Sequence, residues 1–445
     1  MTAPTPPEAA PASRPPAHSL PPAALAWLTW GLLASLYFVG YFQRVAPAVM
    51  VDELMRDFGI AATMLGNLSA IYFYAYAAMQ IPSGLLADAV GPRKVATAAA
   101  VAAAAGMAMF SQADTLWMAG VGRGLVGASV AVAFVACMKL AGHWFPANRF
   151  ATVTGISLLI GNLGGVLAGV PLSEAVASVG WRAAMLASAG ATLVLAAIVW
   201  AWVRNDPSER GYASHAHPEA LNDASMSPWR SLKGVMAERD TWLLFFAGGL
   251  IAAPVLTFAG LWGVPFLVQV HGLDRSHAAG LTTAMLLGFA FGGPLLGALS
   301  DRLGRRKLPY LGAALVHALG WLIFLFADAL SSTAFAMLFA AIGFSAGGLI
   351  IGFAFSREVN HPGAAGTVGG VVNMAVLGFA AIQQSAMGWI LDRNWQGATI
   401  EGARIYDAAA YDAAFFWLAV SALGAVAFVA LTRETYCRLR FDSDD

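Results

Sequence analysis

The sequence predicts an all-α membrane protein in which twelve transmembrane helices form two six-helix halves. Composition is the first reason: 59% of the 445 residues are hydrophobic and 11% are charged, whereas soluble domains carry roughly 25% charged residues. The second reason is the series of long apolar runs along the chain. The third is a loop sequence that occurs twice, about half a chain apart, because such a repeat indicates a duplicated unit.

The repeated loop reads G-L-L-A-D-A-V-G-P-R-K from Gly84 to Lys94 and G-A-L-S-D-R-L-G-R-R-K from Gly297 to Lys307. The two copies are 213 residues apart and share six of eleven positions. Each copy is expected between two helices, where its second glycine permits a tight reversal of the chain.

The elements follow in order along the chain. Residues 1–24 are rich in Pro and Ala, and we expect a disordered tail there. Twelve apolar runs of roughly 20 residues or more follow, the length that crosses a bilayer: 25–50, 62–87, 94–112, 115–140, 147–173, 180–203, 241–270, 276–302, 308–328, 331–356, 364–391 and 408–432. The polar stretch 204–240 is the expected linker between an N-terminal half, 25–203, and a C-terminal half, 241–432, and residues 433–445 form a C-terminal tail.

The distribution of Lys and Arg predicts the orientation of the protein. If both termini are cytoplasmic, 18 of the 25 Lys and Arg residues lie in cytoplasmic loops and tails, and five lie on the other side. Because cytoplasmic loops carry an excess of positive residues, we expect the termini and both repeated loops in the cytoplasm. We therefore expect a multi-pass protein of a bacterial inner membrane.

Composition also excludes several classes of function. The net charge is zero, so composition gives no case for binding nucleic acid, which needs a basic surface. The two cysteines, Cys137 and Cys437, indicate neither a disulfide framework nor a metal site. Neither Gly-rich phosphate-binding motif occurs, and the spans contain no set of catalytic side chains. We expect no cofactor and no enzyme activity.

The doubled loop resembles the signature loop of the major facilitator superfamily, G-x-L-x-D-x-x-G-x-[RK]-[RK]. R-G-L-V-G at 123–127 resembles that family's R-x-x-x-G motif, and G-W-R at 180–182 is similar to its sequence before span six. The resemblance covers about residues 25–435 and implies the major facilitator fold: a secondary transporter with alternating access and a substrate site between the halves. It implies that spans 1, 4, 7 and 10 line the cavity and that spans 2, 5, 8 and 11 form the interface.

Charged residues of the loops are candidates for a gate. A carboxylate clasped between the halves would hold the cytoplasmic side shut, and neighbouring Arg residues would supply donors. The alternative interpretation is that the cations only anchor the loops in the headgroup region. Arg123 resembles a family residue with a helix-packing or proton-relay role, and the sequence leaves both open. The predicted gating residues are Asp88, Gly91, Arg93, Arg123, Asp301, Gly304, Arg305 and Arg306.

Arg44 is the principal candidate for binding substrate. It ends the stretch Y-F-V-G-Y-F-Q-R within span 1, where a charge costs at least about 2.5–3.5 kcal/mol and should face a cavity or a partner. Arginine is a planar fork suited to carboxylate, sulfonate or phosphate. The stretch resembles the organophosphate and organic-anion branch of the superfamily. The alternative is that Arg44 extends to water at the outer end of the span.

One departure from that branch bears on the substrate. Its antiporters carry a second arginine in span 7, but the offset of 213 residues relates Arg44 to Thr257, and span 7 has no Lys or Arg. A singly charged anion therefore fits better than a doubly charged phosphate. Weaker candidates are polar or aromatic residues of the spans, each of which could instead be an interface or packing residue: Tyr41, Tyr72, Tyr76, Gln80, Trp262, Asn373 and Gln384.

The sequence thus predicts a secondary active transporter that takes up a small organic anion of the carboxylate, sulfonate or sugar-phosphate type. Proton symport and anion exchange remain open as the energy source, and we expect a monomer in the lipid bilayer. Alternatives are a drug or metabolite exporter, disfavoured because no Asp or Glu lies mid-span, and a peptide or amino-acid carrier. A sensor built on the same fold is a further alternative.

Overall fold

The computed structural model of the protein describes residues 19–146, 149–215, 228–327, 330–361 and 364–440. Most of the predicted N-terminal tail, residues 216–227 of the predicted linker and residues 441–445 lie outside the described part. So do several individual side chains, among them that of Asp88.

Within the described residues the chain forms sixteen α-helices and one two-stranded antiparallel ladder. The ladder pairs β1 (Thr399–Ile400) with β2 (Ala403–Arg404). A 3-10 segment, Ala46–Val49, and a π-helical segment, Phe258–Trp262, interrupt two of the apolar stretches. The helices are α1 (Ala23–Val45), α2 (Val51–Phe58), α3 (Ala62–Val90), α4 (Pro92–Ser111), α5 (Leu116–Trp144), α6 (Phe150–Leu167), α7 (Val170–Trp202), α8 (Pro228–Ala237), α9 (Arg239–Thr257), α10 (Gly263–Gln269), α11 (Arg275–Leu303), α12 (Lys307–Phe326), α13 (Ser332–Ala346), α14 (Leu349–Glu358), α15 (Ala365–Arg393) and α16 (Ala408–Ala430).

Some of the helices begin where a polar side chain satisfies their first N–H groups. Thr115, Asp274 and Asp407 cap α5, α11 and α16 by accepting hydrogen bonds from backbone N–H groups of the first turn. Between such caps the residues are mostly apolar, and a helix pairs its own backbone groups, as lipid requires.

The described residues contain ten helical stretches that are long and apolar enough to cross a membrane, or eleven if the bent pair Val51–Phe58 and Ala62–Gln80 is one span. One of the ten, Leu159–Trp202, is 44 residues long. A straight helix of that length would measure about 66 Å, more than twice the roughly 30 Å of a hydrocarbon core. It bends at Gly180, whose φ of 80° is outside the helical region. The predicted all-α membrane fold is confirmed, and division at Gly180 separates the predicted fifth and sixth spans.

The two halves meet through the helices that the family resemblance implies. Helix α3 packs against α15, and α6 packs against α11, so spans 2 and 11 and spans 5 and 8 form the contact. One continuous buried core includes residues of both halves.

The molecule has two ends, which we name by the repeated loops. The repeat face carries loops 84–94 and 297–307. The opposite face carries the other ends of the spans, where Trp181 donates a hydrogen bond to Asp57 (2.9 Å) and Arg182 donates one to the carbonyl of Ala113 (3.2 Å). These bonds join the starts of spans 2, 4 and 6 at one end of the N-terminal half.

Helices α3 and α15 approach each other closely near the opposite face. A Cβ on Gly66 would lie 2.6 Å from the carbonyl oxygen of Gln384, and Gly388 faces the backbone of Ala62 in the same way. Small residues at both positions allow backbone-to-backbone contact between the halves.

The carboxylate of Asp392, at the end of α15, caps α3 across the contact between the halves. It accepts hydrogen bonds from Ala62 N (3.2 Å), Thr63 N (2.8 Å) and Thr63 Oγ1 (2.5 Å). Because α3 has no side-chain cap of its own, Asp392 satisfies the first N–H groups of this helix, and the Ala62 N–H also donates to the hydroxyl of Tyr406 at 3.2 Å. Tyr406 and Arg404 of the C-terminal half hold the same carboxylate at 2.6 and 3.2 Å.

Further polar contacts join the halves at this end and connect α2 to the C-terminal half. The structure is therefore closed at the opposite face. These contacts are Gln269 Nε2 to Asp52 Oδ1 (3.2 Å), Arg56 Nη1 to Glu401 Oε2 (3.0 Å), and the ion pair of Arg275 with Glu53.

Replacing Asp392 with Ala should favour opening of the opposite face. The substitution removes the acceptor for three donors of α3, and loss of an N-cap costs about 1–2 kcal/mol, which shifts an equilibrium roughly 5- to 30-fold. Labelling of single cysteines introduced at the opposite face should become faster in proteoliposomes.

Asp407→Ala is the matched control, because Asp407 caps α16 within one half. It should lower thermal stability and leave the labelling rates unchanged. Equal labelling rates in Asp392→Ala and the wild type would contradict the role of Asp392.

Candidate functional site

Spans 1 and 7 both depart from α-helical geometry at corresponding positions of the two halves. The 3-10 segment Ala46–Val49 follows α1, and the π segment Phe258–Trp262 follows α9. The loop offset of 213 residues relates Ala46 to Ala259, inside the π segment, and the two segments contact each other. Paired interruptions of this kind indicate the binding site of a transporter.

Arg44 lies in the last turn of α1, directly before the interruption of span 1. Its side chain is buried among aromatic rings from spans 1 and 2. The guanidinium carbon lies 4.0 Å from the ring centre of Tyr41 and 5.2 Å from that of Tyr76. Its Nε donates a hydrogen bond to the hydroxyl of Tyr72 at 3.4 Å. The predicted residues Arg44, Tyr41, Tyr72 and Tyr76 therefore lie together, and Gln80 lies one helical turn beyond Tyr76 on α3.

Arg44 has no anionic partner in the described part of the protein: no carboxylate there forms an ion pair with it. Cation–π contacts contribute about 0.5–2 kcal/mol each. They compensate a buried charge less well than a carboxylate does, because an isolated ion is costly away from water. The cluster is therefore suited to an anion from outside the protein.

Arg123 on α5 brings a second guanidinium to the same place. Its Nη1 donates to the backbone carbonyl of Gln43 at 2.8 Å, and its carbon atom lies 5.0 Å from the ring centre of Tyr72. Nε and Nη2 of Arg123 are buried and have no hydrogen-bond partner among the described residues. Arg44 lies 5.7 Å from the same ring centre, so two positive charges share Tyr72.

The candidates from the C-terminal half occupy different surroundings. Trp262 donates to the carbonyl of Gln384 at 3.2 Å, and the Gln384 side chain donates to the carbonyl of Leu256 at 3.0 Å. These bonds tie span 7 to span 11. Asn373 on α15 is half-buried and forms no hydrogen bond with another described residue. Thr257, the repeat-related counterpart of Arg44, contacts Gln383 at 3.3 Å.

The first repeated loop binds the end of span 6. Gly91 has a φ of 89°, which only glycine adopts readily. The Arg93 backbone N–H donates to Asn205 Oδ1 at 2.9 Å, and its guanidinium donates to the carbonyl of Trp200 at 2.7 and 3.0 Å. A cation that binds a helix C-terminal carbonyl is favourably placed. The side chain of Asp88, the predicted gating residue of this loop, lies outside the described residues.

The second repeated loop forms an ionic cluster within the C-terminal half. After Gly304, with a φ of 61°, Arg306 binds Asp301 at 2.5 Å and Glu358 at 2.9 Å. Arg305 is exposed. Asp301 thus binds its own loop in this structure, and a contact of Asp301 between the halves stays a prediction.

The C-terminal segment completes the start of α12. Glu434 accepts hydrogen bonds from the backbone N–H groups of Arg306 (2.7 Å) and Lys307 (3.0 Å). Partial burial opposes ionisation of Glu434, but these bonds outweigh it and lower the pKa of its carboxyl group.

Two residues that the sequence does not predict are important in the structure. Gln43 belongs to the cationic cluster, and Asp392 helps to close the opposite face. Asp392 gives no signal by itself, because its role depends on how α15 packs against α3. Gln43 precedes Arg44 in the sequence. Its side chain binds Ser188 (3.4 Å) and Thr192 (3.2 Å) of α7, and its carbonyl binds Arg123. A polar residue next to Arg44 inside an apolar run was the available signal.

The fold and this cluster define a membrane transporter made of two packed six-helix halves, with a cationic site between spans 1, 2 and 4. The sequence profile of the Major Facilitator Superfamily matches residues 33–383. The chain belongs to this superfamily, whose members are transporters and not enzymes.

Similar proteins are known both as sequences and as structures. "Probable sulfoacetate transporter SauU" of Cupriavidus necator is 24% identical over 378 residues, which is 82% of this chain and 86% of that protein. "Membrane sensor protein UhpC" of Escherichia coli is 25% identical over 384 residues, 81% of this chain and 85% of that protein. The crystal structure of a bacterial homolog of the human lysosomal transporter Spinster, inward-facing and unoccupied, has a TM-score of 0.70 at 18% identity, over 92% of this chain and 96% of that one. This last likeness shows the fold alone.

Arg306→Ala should lower the melting temperature far more than Asp301→Asn. Removing Arg306 leaves the largely buried Glu358 without its cation, which typically costs about 3–5 kcal/mol. The exposed Asp301 contributes about 0–1 kcal/mol. Thermal unfolding in detergent measures both variants.

The same pair of variants tests the predicted gate. If Asp301 acts as a latch, Asp301→Asn should change cysteine labelling at the repeat face although it hardly changes stability. Labelling identical to the wild type would leave Asp301 with an anchoring role only.

Proposed function

We propose that this protein is a secondary active transporter that moves a small organic anion across a bacterial inner membrane by alternating access. The single observation that carries the proposal is the buried guanidinium of Arg44, which has aromatic neighbours and no carboxylate partner among the described residues. The two terminal nitrogens of Arg44 form no hydrogen bond with a described residue, and this edge of an arginine binds carboxylate or sulfonate through two parallel bonds.

The second guanidinium changes the expected charge of the substrate. From the sequence alone, one arginine favours a singly charged anion. Because Arg123 lies against the same Tyr72 ring, two like charges raise each other's energy in a medium of low dielectric constant. An anion with two acidic groups relieves both. The name of the relative SauU supports this class, since sulfoacetate carries a carboxylate and a sulfonate.

The closed opposite face supports access to the site from the repeat face in this conformation. The excess of Lys and Arg on the loops of that face favours a cytoplasmic location for it. The transport direction that we propose is uptake, driven by proton symport or by exchange for another anion, and we propose that the monomer is the functional unit.

A sensor is the second candidate, because the relative UhpC is named a membrane sensor protein. A sensor would bind the same anion without moving it. Proteoliposomes separate the two functions, since binding without accumulation indicates a sensor.

The test is a panel of labelled propanoate, malonate, sulfoacetate and glucose 6-phosphate, with choline as the cationic control. Thermal shift of the purified protein measures binding, because a ligand stabilises the state it binds. Uptake into proteoliposomes, with an imposed pH gradient or a preloaded anion, measures transport and its energy source. Doubly charged carboxylates and sulfonates should give the largest responses. A response to choline without one to any anion would overturn the proposal.

Arg44→Ala should weaken anion binding at least about a hundredfold, because two charge-assisted hydrogen bonds of about 1.5 kcal/mol each are lost. Arg44→Lys should retain part of the affinity, since it keeps the charge but loses the fork. The control is Arg438→Ala, an exposed arginine near the chain end, which should transport normally. Normal transport by Arg44→Ala would show that the anion binds elsewhere.

A further inference from the structure

Tyr72 connects three parts of the site through one side chain. It lies on α3 and its relative exposure is 0%. Its hydroxyl accepts the hydrogen bond of Arg44 Nε (3.4 Å) and donates to the backbone carbonyl of Gly40 (3.3 Å), one turn earlier on α1. Span 2 is thereby bonded both to the backbone of span 1 and to the charged side chain that span 1 carries.

The backbone of Tyr72 is itself held against span 4. A Cβ on Gly127 of α5 would lie 2.9 Å from the Cα of Tyr72, so the two helices touch at this point. The ring continues from this contact to a position beside Arg123. The packing of α3 against α5 therefore fixes the position of the Tyr72 hydroxyl. A fixed hydroxyl favours one defined geometry for Arg44, which donates to it.

The bond from Tyr72 determines which edge of Arg44 is available. Guanidinium donors lie in one plane, and Nε is used by Tyr72 while the ring of Tyr41 lies near the guanidinium carbon. The Nε–Nη edge is thereby occupied, and the remaining edge, Nη1 and Nη2, can form paired bonds with an oxyanion. Without the bond from Tyr72, the long arginine side chain would lose its rotational freedom only when the anion binds, and that loss would weaken binding.

We infer that Tyr72 is a positioning residue that holds the Arg44 guanidinium with its terminal nitrogens directed to the anion. The inference rests on the proposed function of Arg44. It differs from the sequence-based prediction of Tyr72 as a substrate contact, because the Tyr72 hydroxyl is already bonded to Arg44 and Gly40 and acts through Arg44.

Tyr72→Phe tests this role, since it keeps the ring and removes the hydroxyl. With sulfoacetate as the probe, KM for uptake should rise about tenfold, equivalent to about 1.4 kcal/mol. The maximal rate should stay within about twofold, because the hydroxyl orients the binding group and the helices still pack. Tyr310→Phe is the matched control: Tyr310 is equally buried, on α12, and its hydroxyl has no partner among the described residues. Its KM should be unchanged.

A double-mutant cycle separates positioning from direct contact. Lysine carries a point charge with rotatable donors and has no planar fork for Tyr72 to orient, so Tyr72→Phe should have little further effect in an Arg44→Lys background. A tenfold effect in both backgrounds would show that Tyr72 acts independently of Arg44 and would overturn the inference. So would an unchanged KM in Tyr72→Phe.

The result for Arg44 separates this inference from the proposed function. Normal uptake by Arg44→Ala would refute the proposed site and the role of Tyr72 with it. Loss of binding in Arg44→Ala, together with wild-type kinetics in Tyr72→Phe, would refute the role of Tyr72 alone.

Discussion

A permanent positive charge between membrane-spanning helices requires stabilising partners. The described residues around Arg44 provide only weak ones. Aromatic rings, one tyrosine hydroxyl and the end of a helix take the place of a carboxylate. Arginine cannot release its proton to escape the cost of burial. The position is tolerable when water or an anion reaches the guanidinium, so the same charge that makes the empty site costly would favour anions over cations and neutral solutes there.

The cationic cluster and the contacts that close the opposite face use the two halves of the molecule differently. The cationic cluster is built by α1, α3 and α5 of the N-terminal half. The bonds that close the opposite face instead join residues of both halves, and Asp392 accepts three of them from α3. The duplicated loop copies have also diverged: Arg93 binds the end of a neighbouring helix, and Arg306 joins two acidic side chains. A repeat in sequence has therefore become two different structures that share a glycine with a positive φ at the turn.

The overall fold could be predicted from the sequence because length and apolarity alone define a span, and a doubled motif defines the halves. The same information located Arg44 and its tyrosines, since Tyr72 and Tyr76 lie on one face of α3 at a spacing of four residues. The meeting of Arg123 with Tyr72 was not predictable, because it depends on the packing of α5 against α3. Asp392 and Thr63 are 329 residues apart, and no local pattern relates them. The stretch Leu159–Trp202 needs a further signal. It is apolar over 44 residues, and the glycine at position 180 marks where it divides into two spans.

Uncompensated charge in the proposed site would also couple the protein to the membrane potential. One elementary charge that crosses 100 mV gains or loses about 2.3 kcal/mol. If rocking of the halves moves Arg44 and Arg123 through part of that field, the empty transporter performs electrical work each time it changes conformation. If the proposed dianion binds there without a proton, it would cancel the charge, and the loaded transporter would change conformation with little electrical work. The potential across the membrane would then act on the return of the empty site and scarcely on the step that carries the solute.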